Sequence, residues 1–120
     1  MRRPEQGLQR SVMAYLDAVL PPNAWSFHPP NGGKRGAIEG AIFKAMGTRA
    51  GLPDIGILFD GRCFWIELKA AAGRISEAQA HAHARLWDAG CPVVICRSID
   101  DVRSALLGWA IPIRDARAAA

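Results

Sequence analysis

Three side chains in one stretch could do chemistry together. In "DIGILFDGRCFWIELK" (54–69) Asp54 opens the run, and Glu67 and Lys69 close it two residues apart. Strand side chains alternate faces with a period of two, so Glu67 and Lys69 point the same way. A solvated outer face is the ordinary reason for such a pair. Trp65 and Cys63 share that face, however, and neither is a natural solvent residue.

Asp60-Gly61, set between two apolar runs, signals a two-residue hairpin turn. Such a turn pairs Phe59 with Arg62, Ile57 with Phe64 and Asp54 with Glu67. Directly opposed residues have Cβ atoms roughly 4.5–5.5 Å apart, and like charges so placed destabilise a sheet. A one-residue bulge would move Asp54 to a diagonal position and still leave it close. Protonation of one carboxylate, or a cation between the two, resolves the conflict. Mg²⁺ takes oxygen ligands, accepts one or two carboxylates and keeps several waters for chemistry and phosphates. A lysine beside it can hold or activate an attacking water, or neutralise charge on a scissile phosphate. The plainer alternative is a surface Glu–Lys pair with Asp54 merely opening a strand.

The elements that must position these residues follow from periodicity and stop signals. Leu8, Val12, Tyr15, Leu16 and Val19 recur at helical spacing over 4–20, and "PPN" ends the run. "AWSFH" (24–28) reads as a short strand, followed by the turn-rich "PPNGGKRG". A second helix is expected over 37–46, with Ile38, Ile42 and Met46 inward and Gly47 as its stop. The hairpin strands come next. "AAAGR" then leads into a helix that Ser76 and Gln79 start as a capping box and Gly90 ends. "PVVICR" (92–97) reads as an apolar central strand. A last helix over about 100–109 buries Val102, Leu106 and Trp109. The order α-β-α-β-β-α-β-α defines an α/β fold, a small mixed sheet flanked by helices.

At 120 residues and 50% hydrophobic, the chain suits a single domain, 1–120, with one core. Its apolar runs are too short for a membrane span, and no apolar segment follows "MRRPEQGLQR" to make a secretory signal. Cys63, Cys91 and Cys96 form an odd set with no Cys-x-x-Cys pair, which fits the reduced cytoplasm. Residues 1–50 carry seven Lys/Arg against three Asp/Glu, whereas 51–120 carry eight of each. The surplus around Arg2, Arg3, Arg10, Lys34, Arg35, Lys44 and Arg49 suggests a polyanionic partner.

The stretch "GLPDIGILFDGRCFWIELKAAAGRISEAQ" resembles the PD-(D/E)xK nuclease signature, with Pro53-Asp54 and Glu67-Leu68-Lys69 as its halves. More narrowly it is similar to the VRR-NUC family in its short stand-alone phage and prophage form. "FHPPNGGKR", "FKAMGTRAGLPDI", "IELKAAAGRISEAQ" and "DAGCPVVI" follow in that family's order, and the likeness runs from about residue 4 to 113. The resemblance implies a restriction-endonuclease-like core. It implies Asp54, Glu67 and the Leu68 backbone carbonyl as ligands of Mg²⁺ or Mn²⁺, and Lys69 as the catalytic lysine. It offers Glu5 as a further metal ligand, where a favourable charge in a helix's first turn is the competing reading. Gln79 matches a site-lining glutamine, a role that competes with its local one in the capping box.

Asn31, Gly32 and Gly33 fit a tight turn; the resemblance adds an approach to DNA there, with Lys34, Arg35, Lys44 and Arg49 on phosphates. Ile38 and Glu39 depart from the family's basic or small residues and would weaken that surface. His28 reads as a strand-end residue, His81 and His83 as solvated helix residues, and Trp25, Trp87 and Trp109 as core or interface. The expected activity is a metal-dependent DNA endonuclease, homodimeric, selective for branched or structured DNA as Holliday-junction resolvases are. A DNA-binding module without cleavage and a single-strand exonuclease are the alternatives.

Overall fold

The computed structural model describes residues 4–29 and 36–114. Its elements are α1 (Pro4–Val19), β1 (Ala24–Phe27), α2 (Ala37–Ala45), β2 (Ile55–Phe59), β3 (Arg62–Leu68), α3 (Glu77–Asp88), β4 (Val93–Cys96) and α4 (Ile99–Gly108), the order that the sequence predicts. The four strands form one mixed sheet in the order β1-β2-β3-β4. The first two pairings are antiparallel and β3 runs parallel to β4. No described helix is long and apolar enough to cross a membrane.

The hairpin stands as its turn chemistry requires. Asp60 and Gly61 both take positive φ, 53° and 71°, as a type I′ turn demands of both central residues. That turn locks the register of Phe59 with Arg62, Ile57 with Phe64 and Ile55 with Ile66.

Alternation along β3 then divides its side chains. Phe64, Ile66 and Leu68 join Ile55 and Ile57 in the core, against Val12, Leu16 and Val19 of α1 and Val102 and Leu106 of α4. Trp65, Glu67 and the following Lys69 turn to the opposite face and are also buried. The indole of Trp65 meets the Phe27 ring edge to face at 5.6 Å, across Gly56, where a Cβ would stand 2.4 Å from that ring. Trp65 is therefore an interior residue of the second face.

Two expectations fail. Ile38 and Met46 of α2 are 80% and 76% exposed, and Ile42 is exposed too. Their spacing makes a helix, but among the described residues no side chain of α2 is buried. β4 is an edge strand, since only β3 pairs with it, and Ile95 is exposed. Of the tryptophans read as core or interface, Trp109, at the C-cap of α4, packs on Phe64 with ring centroids 4.9 Å apart, whereas Trp25 and Trp87 are exposed, which leaves them the interface reading.

Candidate active site

The second face of β3 meets three other elements at its C-terminal end. The loop before β2 brings Asp54, the first turn of α1 brings Glu5, and α3 brings Gln79 and His83. The ladder of β2 stops at Ile55, so Asp54 stands just outside the sheet, and its Oδ2 accepts from the Leu68 backbone N–H at 2.7 Å. The Asp54 carbonyl in turn accepts from Nδ1 of the exposed His28 at 2.6 Å, tying this loop to the end of β1. Glu5 Oε2 accepts from the Ala70 N–H at 3.2 Å, which carries α1 across to the residue after Lys69. The charge in the first helical turn therefore has a specific tertiary target.

Glu67 is the buried centre, 1% exposed. Its Oε1 lies 3.1 Å from His83 Nε2, and its Oε2 accepts from Gln79 Nε2 at 3.3 Å with Lys69 Nζ 4.0 Å away. Burial first, then the hydrogen bond and charge of Asp54, push the Glu67 carboxyl from its ordinary 4.5 up to about 8; Lys69 pulls the other way and Glu5 adds a small further rise. Burial, with the charge of Lys69 behind it, lowers the pKa of His83 and favours its neutral imidazole.

Gln79 performs both roles that its position allows. Its Oε1 accepts from the Ser76 N–H at 2.8 Å while Ser76 Oγ accepts from the Gln79 N–H, the reciprocal capping box. The same Oε1 accepts from Lys69 Nζ at 3.0 Å.

His83 is a correction to the sequence reading. It is buried, one helical turn beyond Gln79 on the same face of α3. The polar run "HAHAR" disguised it; the spacing of four from Gln79 was the available signal. His81 is exposed, as expected. Arg97 was missed altogether. Its Nη1 donates to the carbonyls of Ala70, Ala71 and Gly73 at 2.6, 3.4 and 2.9 Å, holding the loop that leaves Lys69. Gly51, at φ +80°, packs where a Cβ would stand 2.3 Å from the Ala78 carbonyl oxygen, so the Asp54 loop and the start of α3 touch backbone to backbone. Lys44 and Arg49 are exposed and do not join the cluster, and Glu39 is exposed as well. Asn31, Gly32, Lys34 and Arg35 lie outside the described residues.

Among the described residues no group of three or more His, Cys, Asp or Glu side chains makes a metal cage by itself. The donors that do converge are two hydrogen-bonding carboxylates with a third within electrostatic reach. That set fits Mg²⁺, which prefers one or two carboxylates completed by water and phosphate to an all-protein cage.

The fold has solved counterparts. No protein-family model and no curated protein matches the chain. One solved structure, a "VRR_NUC domain protein", has a TM-score of 0.68 and 24% identity over 93% of this chain and 93% of that one. A second, a "VRR_NUC domain", has a TM-score of 0.59 and 18% identity over 87% of this chain and 94% of that one. The chain thus has the fold of VRR_NUC domain structures.

Proposed function

We propose that residues 1–120 form a VRR-NUC nuclease domain, a Mg²⁺- or Mn²⁺-dependent DNA endonuclease that hydrolyses phosphodiester bonds in branched or structured DNA. The observation that carries this reading is the buried Glu67. The fold places it against Asp54 and drives its pKa to about 8, a conflict that a divalent cation relieves. Asp54, Glu67 and the Leu68 carbonyl would hold the cation, with Glu5 beside them. When bound, the cation supplies Lewis-acid stabilisation of charge on the phosphate and on the leaving 3′ oxygen.

The chain's own residues do the rest. Lys69 is held by Gln79 with its ammonium facing Glu67, where it orients the attacking water and neutralises charge on the phosphoryl oxygens. Gln79 fixes that lysine from a helix start that cannot shift without losing its cap. Water attacks the phosphorus in line as the bond to the 3′ oxygen breaks. Exposed Lys44 and Arg49, with Asn31, Gly32, Lys34 and Arg35, would meet the DNA backbone. The uncovered stripe of Ile38, Ile42 and Met46 supports a homodimer, which would present two sites to a branched substrate. Three free cysteines fit a cytoplasmic setting.

Labelled duplex, flap, four-way junction, single-stranded and closed circular DNA, each with Mg²⁺, Mn²⁺ or EDTA, test the reading beside the Lys69→Ala protein. Metal-dependent cutting of circles and branched DNA, lost in Lys69→Ala while DNA binding persists, is expected. Binding without cutting of any substrate would leave a DNA-binding module, and cutting confined to free single-strand ends would make it an exonuclease.

A further inference from the structure

His83 has no part in the mechanism above, yet it is the only histidine buried among the described residues. Its Nε2 stands 3.1 Å from Glu67 Oε1. The other carboxylate oxygen, Oε2, accepts from Gln79 Nε2 at 3.3 Å. Gln79 and His83 lie four residues apart on α3, so one face of one helix takes both oxygens of the same carboxylate. A carboxylate held at both oxygens cannot rotate about its last bond without breaking one of the two contacts.

Ala82, beside His83, is the only other buried residue of α3. Space filling alone would be met by any apolar side chain. A ring nitrogen on a buried carboxylate oxygen is a directional contact, and hydrogen bonds to ligating carboxylates set the geometry they present to an ion.

We propose that His83 is a positioning residue for a cation site at Glu67. Its Nε2–H donates to Oε1 and sets the plane in which the carboxylate meets the ion. The proposal rests on the metal-centre reading and extends it to a side chain that touches neither phosphate nor cation.

Two substitutions separate positioning from packing. His83→Phe keeps a planar ring of similar volume and removes the donor. His83→Gln keeps an N–H about where Nε2 stands. The affinity of each protein for Mn²⁺ is measured by calorimetry without DNA, with the melting temperature in EDTA as the check on folding. The Phe protein should bind Mn²⁺ about 10–100-fold more weakly than wild type, and the Gln protein within a few-fold of it. Cleavage by the Phe protein should recover as Mn²⁺ is raised to saturation, which purely structural damage would not allow.

Wild-type affinity in the Phe protein, or an equal loss in both, overturns the role of His83. Should the Phe protein not fold, His83→Ala takes its place as the donor-free variant: Mn²⁺ affinity about 10–100-fold below that of the Gln protein supports the role, and equal affinity overturns it. A wild-type protein that binds no Mn²⁺ at all would overturn the metal-centre reading and this proposal with it, an outcome distinct from the others.

Discussion

Replacing Glu67 with glutamine should remove most of the pH dependence that this site gives to the stability of the metal-free protein. The folded state raises the Glu67 pKa from 4.5 to about 8. Between those values the native state holds a proton that the unfolded chain has released, so stability falls as pH rises. Each pH unit is worth about 1.4 kcal/mol, so the loss across the interval reaches about 5 kcal/mol. It is absent below pH 4.5 and complete above pH 8. Against a typical total of about 5–15 kcal/mol, such a change is large enough to read directly. The assay is urea denaturation of wild type and Glu67→Gln in EDTA from pH 5 to 9. Groups that titrate alike in both proteins cancel in the difference. Glu67→Gln should gain on wild type by several kcal/mol towards pH 8. Saturating Mg²⁺ should return most of that stability to wild type and little to the variant, because the ion favours the ionised carboxylate. Parallel curves between pH 5 and 8 would refute the reasoning, since an unperturbed glutamate titrates below that range.

Gly51→Ala should destabilise the protein by about 2–4 kcal/mol, combining a strained positive φ with overpacking against Ala78, and should lower cleavage by separating Asp54 from Gln79. Urea melts with single-turnover cleavage check it; an inert substitution would show that the loop and α3 are not coupled. Arg97→Ala should cost little stability, because the side chain is exposed, but should speed amide exchange around 70–73 and lower kcat more than it raises KM. Unchanged exchange there would remove Arg97 from the support of Lys69.

The legible parts of this site are those set by local rules. Asp60-Gly61 fixed a two-residue turn, the turn fixed the register, and the register brought Asp54 to Glu67 before any tertiary contact was known. Ser76 and Gln79 announced the start of α3 in the same way. What stayed hidden depends on which surfaces meet. Small alanines at 78, 80, 82 and 84 leave α3 without an apolar stripe, so nothing local showed that its Gln79–His83 face turns inward. The spacing of Ile38, Ile42 and Met46 shows an amphipathic helix but not its partner. Arg97 reaches carbonyls 24–27 residues away, a contact no short-range pattern encodes. The apolar run of β4 suits a central strand as well as an edge strand, because sheet order is a property of all the pairings together.

Alternation explains how a single strand tolerates this burden. Ionised and unpaired with a metal, Glu67 costs several kcal/mol, and a capping box at the start of α3 is worth only about 1 kcal/mol. The cap by itself is therefore too weak to keep the carboxylate buried. The offset comes from the other face of the same strand. Phe64, Ile66 and Leu68 are interleaved with Trp65, Glu67 and Lys69, and each is at most 2% exposed. Burying each such side chain contributes about 1.5–3 kcal/mol, enough in sum to hold β3 in place whatever the charge opposite. Moving Glu67 to water would mean slipping the strand by one residue, which would send Phe64, Ile66 and Leu68 out with it. The core thus enforces an unfavourable carboxylate pair, and in so doing would keep the proposed cation site assembled before any ion arrives.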